Sequence, residues 1–594
     1  MVKIEQIDLA RHSLSHLMSM ATQELYPEVG LGVGPVIDNG FYQDYDLPEV
    51  ITPEILPKLE KRMRELIKKN IKFEQHDMDL DEALKLYKND PYKTELINDL
   101  KAAGESKVSF YKSGEFDNLC LGPHVSSTKE INPDAFKLTH IAGAYWRGNE
   151  KNKMLTRIYG LAFESKKELE EYLALQEEAK KRDHRVIGKD LGLFVFSELV
   201  GKGLPLFTEK GSIIRRQLER FIVDEEIKRG YQHVYTPDLA KVELYKTSGH
   251  YPYYKDTMYP IMKIDEEELI LRPMTCPHHF QLYASSPHTY KELPIRIAEL
   301  AKQFRYEKSG ELTGLMRVRS FCLADAHIVC RKDQAVSEIN GVLDLIEYAA
   351  LAMGLKKGEN FRYRLSLGDR SDNNKKYYKD DEAWNFAENV LRSVLKDRKA
   401  PFFEAEGEAA FYGPKIDIQM KNFSGKEDTA FTVQYDFVMP KRFNLVYIDE
   451  NSKKQEPIVI HRSSIGAIER VMAFLIERYA GNFPLWLSPV QVKVIPVRKT
   501  HNTYAKEIYD LLKENGIRAE VDLEDENLGK KVRQAKNEKI PYWIVLGDKE
   551  VESKEVTVES RGNPSADKGE GQKIGSMPAQ KFLELLQKEI KEKK

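Results

Sequence analysis

Apolar positions change rhythm three times along the chain. Residues 1 to about 165 mix both periods. The glycine-rich stretch Val29–Asp46, with its β-branched and aromatic residues, predicts strands and turns. Residues 52–70 (TPEILPKLEKRMRELIKKN) predict an amphipathic helix. Residues 166–185 predict a mostly charged helix of the kind that bridges domains, with a boundary near 187. From 190 to 480, strand-like runs fall at 269–273, 295–306, 320–329, 410–420, 429–437 and 457–461, and helices at 212–229 and 465–480. Long strands without regular βα alternation predict an α+β domain on an antiparallel sheet. After Pro484 and Pro489 strands and helices alternate: 490–497, 502–515, 518–521, 528–538, 542–547 and 579–592. That predicts a compact α/β domain with a largely parallel sheet, and residues 562–572 predict a flexible loop.

Length turns these blocks into domains. The 594 residues suffice for roughly three to five. With 41% hydrophobic and 31% charged residues, the chain is neither disordered nor fibrous. Lys and Arg number 92 against 94 Asp and Glu, which argues against a DNA-coating protein but leaves room for a local basic surface. Four cysteines without a C-x-x-C pair fit a reducing, cytoplasmic setting better than a disulfide framework. No apolar run reaches the roughly 18 residues of a membrane helix, and the first residues lack an apolar signal core.

The central block carries the most specific chemistry. Phe304-Arg305-Tyr306-Glu307 ends a strand-like run. A variable loop and Leu315-Met-Arg-Val-Arg-Ser-Phe321 follow, and later His461-Arg-Ser-Ser-Ile-Gly-Ala-Ile-Glu-Arg470. The helix at 212–229 leads into Tyr235-Thr-Pro237. Any one of these alone is a weak match. In this order they resemble the three signature motifs of class II aminoacyl-tRNA synthetases. Amino-acid activation by ATP builds negative charge on the α-phosphate, and fixed guanidinium groups meet it with bidentate, permanent charge. The resemblance implies that Arg305 contacts the α-phosphate and Arg470 the γ-phosphate, both as catalytic groups. It also implies that Arg317 is a further phosphate contact, Glu307 accepts from the adenine amino group, Phe321 stacks on the base, and Mg²⁺ accompanies ATP.

Leu271-Arg-Pro-Met-Thr-Cys-Pro277, Ala324-Asp-Ala-His327, Phe411-Tyr-Gly-Pro414 and Val433-Gln-Tyr-Asp436 are similar to the threonyl-tRNA synthetase form of this region. The family places one zinc ion per subunit on residues matching Cys276, His327 and His461. Spacing alone could not find this trio. Three ligands leave a position open for substrate, and engaging both the amino and hydroxyl groups of L-threonine rejects valine. Asp325 then partners the substrate hydroxyl, Tyr412 and Gln434 occupy further threonine-binding positions, and Met274 lines the pocket. Cys322 and Cys330 are expected to be structural.

In the N-terminal block, His12 and His16 are spaced to share a helix face, and Cys120 and His124 flank a Gly-Pro turn. Spacing leaves open whether these four form a metal site or are unrelated residues brought near in sequence by chance. The region, through His140–Gly148, resembles the editing domain of bacterial threonyl-tRNA synthetases. Serine also bears a β-hydroxyl, and one missing methyl gives only about 1–3 kcal/mol of discrimination, so a second, hydrolytic sieve for seryl-tRNA is expected. The C-terminal block resembles the anticodon-binding domain of class II synthetases. Positive charge concentrates at Lys530, Lys531, Arg533, Lys536 and Lys539, and Glu550 and Arg561 are expected base readers.

The expected division is an editing domain at 1–165, a linker helix at 166–186, a catalytic domain at 187–486 and an anticodon-binding domain at 487–594. The expected partners are tRNA(Thr), ATP and threonine, with a homodimer formed through the first motif and neither membrane nor DNA involved. Bacterial members often carry a further small N-terminal domain ahead of the editing domain, so a natural short form or a trimmed chain is expected. A synthetase for serine or proline would not explain the Cys276/His327/His461 trio. A non-catalytic paralogue would not explain the intact Arg305, Glu307 and Arg470.

Overall fold

The computed structural model describes residues 5–371, 376–422, 427–562 and 572–593. The chain divides into two compact units, residues 1–177 and 178–594.

The first unit is α+β. Its larger sheet is antiparallel, with Gly30–Leu31, Gly40–Asp46, Met154–Ala162 and Phe136–Tyr145 in that order and Val36–Ile37 paired to Gly40–Asp46. A three-stranded antiparallel sheet joins Glu74–Asp79, Lys107–Ser113 and Phe116–Leu119. The helix Gln6–Leu25 is buried all round from Ser13 to Thr22. It tolerates serines and threonines there because their hydroxyls donate to backbone carbonyls one turn back: Ser13 to Leu9, Ser19 to Ser15 and Thr22 to Met18. The amphipathic segment folds as Leu56–Lys68, burying Leu59, Met63 and Leu66.

The bridging helix is shorter than expected. It runs Lys166–Lys181 and stops, and a new helix, His184–Asp190, starts on Asp183, whose carboxylate accepts from the Arg185 N–H. An aspartate cap competes with helix continuation.

The second unit is built on an eight-stranded sheet. Its order is Gln232–His233, Ile295–Phe304, Ser320–Cys330, Ile458–Ala467, Glu427–Asp436, Lys415–Lys421, Phe361–Ser366 and Phe402–Ala405. All pairs are antiparallel except the outermost two. Register brings distant residues together. His327 opposes His461, His461 opposes Gln434, and Asp325 opposes Ser463. Directly opposed residues share a face of the sheet. Two expected boundaries shift. The 410–420 strand begins at Lys415, because Ala410–Gly413 closes a turn in which the Gly413 N–H donates to the Ala410 carbonyl at 3.3 Å. The strand reaching His461 continues to Ala467, so the helix starts at Ile468. At Gly466, φ is +72° and a Cβ would sit 2.3 Å from the Ala430 carbonyl oxygen, so only glycine fits.

Beyond residue 490 the sheet order is Ala519–Val521, Val492–Pro496, Tyr542–Leu546, Glu555–Ser560 and Gln572–Pro578. The first three strands are parallel, but the last two pair antiparallel, so the sheet is mixed rather than largely parallel. Of the expected 562–572 loop, residues 563–571 lie outside the described residues. No helix among the described residues is long and apolar enough to cross a membrane.

Candidate active site and a second histidine–cysteine cluster

A cavity of ≈ 510 Å³ opens on the large sheet. It is lined by Met274, Cys276, Arg305, Glu307, Arg317, Asp325, His327, Tyr412, Gln434 and His461, among others. Cys276 is the first residue of the helix Cys276–Ala284, and the sheet register supplies the two histidines. The ligand atoms of Cys276, His327 and His461 lie within 4.8 Å of one another, and all three residues are buried. Each imidazole has its far nitrogen occupied. His461 Nε2 bonds the Asp436 carboxylate at 2.7 Å, which leaves Nδ1 a free lone pair. His327 Nδ1 bonds His279 Nδ1 at 2.8 Å, and His279 Nε2 bonds Glu299 at 3.3 Å. Since Glu299 only accepts, the protons line up along this chain and His327 Nε2 is left as an acceptor. Burial pushes Glu299 up, but His279, Thr236 and Arg272 together hold it at about 2, so it stays ionised. Burial, helped by Asp325 and Asp436, holds the Cys276 thiol well above its ordinary value. The same carboxylates attract a cation.

Around this floor, Tyr412 stacks on His461 with ring centroids 4.8 Å apart and donates to Gln434 Oε1 at 2.6 Å. Gln303 Nε2 donates to Asp325 at 3.4 Å. Burial raises the Asp325 carboxyl. On the other side, the Arg305 guanidinium lies 5.2 Å from the Phe321 ring centroid. Arg317 pairs with Glu307 at 2.8 Å. Arg470, on the helix Ile468–Tyr479, donates to the carbonyls of Met316 and Thr429. Burial lowers both Arg305 and Arg470, and the Arg305 and Arg317 charges lower Arg470 further. Crowded, partly desolvated guanidinium groups attract a polyanion. His279, Glu299, Asp436 and the buried His250 were missed as site members because nothing in their spacing marks them.

The second cluster lies in the first unit, beside a cavity of ≈ 670 Å³. Cys120 Sγ is 3.4 Å from His12 Nε2 and 3.3 Å from His124 Nε2, and His16 Nδ1 is 3.4 Å from His124 Nε2. The ligand atoms of His12, Cys120 and His124 also fall within 4.8 Å of one another. The outer partners are uncharged here. His12 Nδ1 donates to the Pro123 carbonyl at 3.1 Å, and His124 Nδ1 bonds the Ser13 hydroxyl at 3.1 Å. Burial lowers all three histidines, His16 to about 3 and His124 to about 2. Buried Lys93 lines the same cavity, is lowered to about 8 by desolvation, and pushes His16 down further. Sequence reading missed Lys93, since a single lysine carries no spacing signal.

Residues 259–479 match the family described as tRNA synthetase class II core domain (G, H, P, S and T). Residues 491–589 match Anticodon binding domain, and residues 108–159 match Threonyl and Alanyl tRNA synthetase second additional domain. The threonine–tRNA ligase of Geobacillus sp. (strain WCH70) is 50% identical over 590 residues, 99% of this chain and 89% of that protein. The chain belongs to the threonine–tRNA ligase family. The Clostridium botulinum (strain Alaska E43 / Type E3) ligase is 48% identical over 98% of this chain and 89% of that protein. Among solved structures, the RNA binding domain of threonyl-tRNA synthetase from Cryptosporidium parvum Iowa II superposes with a TM-score of 0.63 at 32% identity. It covers 68% of this chain and 98% of that chain.

In this threonine–tRNA ligase family member, the two expected base readers also make internal hydrogen bonds. Glu550 accepts from the Gly547 N–H and the Thr557 hydroxyl, capping the helix Asp548–Ser553. Arg561 is 8% exposed and donates to the carbonyls of Lys539 and Phe483. These bonds use two of the carboxylate's lone pairs and two of the guanidinium's N–H groups. Lys531 leaves the basic surface, being buried against Asp522. Cys322 and Cys330 are buried in the main core, as a structural role requires.

Proposed function

We propose that the chain activates L-threonine with ATP and transfers it to tRNA(Thr), and that its N-terminal unit hydrolyses seryl-tRNA(Thr). The convergence of Cys276, His327 and His461 beneath Asp325, Tyr412, Gln434 and Arg305 carries this reading. The donor set fits zinc, one per subunit: a thiol and two imidazoles with free inner nitrogens, each backed by a carboxylate directly or through His279. Zinc held there would supply Lewis-acid chemistry to the amino and hydroxyl groups of the substrate. Asp325 accepts from the threonine hydroxyl, Gln434 and Tyr412 orient the amino acid, and Met274 bounds the methyl pocket. The threonine carboxylate attacks the α-phosphorus, the bond to pyrophosphate breaks, and Arg305 meets the charge that builds on the α-phosphoryl oxygens. Arg470 and Arg317 hold the β- and γ-phosphates, relieving their mutual repulsion. Phe321 stacks on adenine, Glu307 accepts from its amino group, and Mg²⁺ accompanies the nucleotide. The terminal ribose hydroxyl of the tRNA then attacks the threonyl carbonyl, the bond to AMP breaks, and the hydroxyl proton leaves with the AMP phosphate.

In the second site a water attacks the seryl ester carbonyl, and the ribose oxygen leaves with a proton. His12 Nε2 and His124 Nε2 are unprotonated acceptors suited to that work. The nearby Lys93 ammonium disfavours a metal cation and favours the oxyanion. We divide the chain into editing, linker, catalytic and anticodon-binding parts as the sequence suggested, working in the cytoplasm as a homodimer joined through the first motif. ATP–pyrophosphate exchange across the amino acids tests the reading: threonine should drive the fastest exchange, and faster exchange with proline or serine would overturn it.

A further inference from the structure

One buried imidazole outside the cavity touches the machinery from behind. His184 opens the short helix His184–Asp190 and is 2% exposed. Its Nδ1 lies 2.7 Å from Glu477 Oε1, on the helix that carries Arg470 seven residues earlier. Its Nε2 accepts from the Leu315 N–H at 3.0 Å. A backbone N–H only donates, so Nε2 must be the unprotonated nitrogen, and the proton sits on Nδ1, facing the carboxylate. Glu477 therefore fixes the tautomer that the loop needs.

That loop is the one bearing Arg317. The Thr313 carbonyl accepts from both Met316 and Arg317 N–H groups, closing a tight turn, and the fully buried Leu315 N–H points out of it to His184. The next carbonyl, Met316, receives Arg470 Nε at 3.2 Å. Gly314 permits the approach: φ is +48°, and a Cβ there would lie 2.1 Å from His184 Nε2. Two consecutive loop residues are thus clamped, one by the imidazole and one by the catalytic arginine.

We propose that His184 is a positioning residue for the nucleotide side of the site, its imidazole aligning Arg317 and Arg470 through Leu315 and Glu477. It rests on the reading of these arginines as polyphosphate ligands. Among the described residues, the hydrogen bonds of His184 run to Glu477 and Leu315 and not to the amino-acid pocket, so the effect should fall on ATP alone.

The test uses two isosteres on the whole chain. His184→Gln places a carbonyl oxygen near the Nε2 position and can still accept from Leu315. His184→Asn places its amide near the Nδ1 position and keeps only the Glu477 bond. Leaving a buried N–H unpaired corresponds to roughly a 5- to 150-fold loss. In threonine-dependent exchange, His184→Asn should raise the KM for ATP at least about fivefold, with the KM for threonine within about twofold. His184→Gln should stay near the parent. Equal losses in Gln and Asn, or a rise in both KM values together, would overturn the proposal. Should His184→Asn fail to fold, Gly314→Ala displaces the imidazole independently. An ATP KM unchanged in that folded variant would equally overturn it. Calorimetric affinity for a non-hydrolysable ATP analogue gives the same comparison without chemistry. An unmodified chain that binds the analogue but exchanges with no amino acid would break the parent reading and leave this one measurable.

Discussion

Two clusters of the same residue types, Cys276/His327/His461 and His12/His16/Cys120/His124, sit in opposite electrostatic surroundings. In the first, every imidazole is backed by a carboxylate, Asp436 directly and Glu299 through His279, and Asp325 stands beside the thiol. In the second, the backing groups are the Pro123 carbonyl and the Ser13 hydroxyl, and the buried Lys93 ammonium lines the same cavity. Ligand identity alone would class both as metal sites. The outer groups decide otherwise: carboxylates raise ligand basicity and neutralise a cation, whereas an ammonium repels one and welcomes an oxyanion.

The strongest way to break this contrast is to show that the clusters are not separable. His12→Ala should slow hydrolysis of seryl-tRNA(Thr) by about 10²- to 10⁴-fold, the usual worth of a general acid or base, while threonine-dependent exchange is unchanged. A fall in both activities would mean that the N-terminal cluster serves the synthetic reaction. A smaller effect is expected from the outer groups. Asp436→Ala should weaken zinc binding by about 10- to 100-fold in a chelator competition, and Ser13→Ala should leave it unaltered.

Acid sharpens the contrast from the other side. His16 and His124 are held far below 6.5 by burial. As pH falls below 6.5 the unfolded chain takes up protons that the folded chain refuses, so stability is present above 6.5 and lost towards about 3. Each such histidine contributes up to about 1.4 kcal/mol per pH unit in that window. His16→Leu should flatten the pH dependence of thermal melting between pH 6 and 4, and an unchanged slope would show that His16 does not resist protonation. The smallest effect belongs to the C-terminal part. Glu550→Ala should cost about 1 kcal/mol of stability through its lost cap, read as a lower midpoint in thermal melting.

Much of this was legible in the sequence because it is local or ordered. The helix at 56–68 follows from the spacing of Leu59, Met63 and Leu66, and the three motif segments stand in their expected order. The trio at 276, 327 and 461 was reachable only by resemblance, because strand register, which no spacing encodes, sets His327 opposite His461. His279, Glu299 and Lys93 were invisible for the same reason: their importance lies in what they face. The errors had local causes. The 166–185 helix breaks where Asp183 caps a new one, and the parallel sheet prediction overlooked the antiparallel strands 555–560 and 572–578. The burial of Arg561 and Lys531 was not legible either, because charge in a sequence carries no sign of burial.

Zinc stoichiometry by elemental analysis of the purified chain tests the contrast most directly, with Cys276→Ser and Cys120→Ser measured beside the parent. The account predicts one zinc per chain in the parent and in Cys120→Ser, and nearly none in Cys276→Ser. Two zinc ions in the parent, or a loss of zinc on changing Cys120, would contradict it.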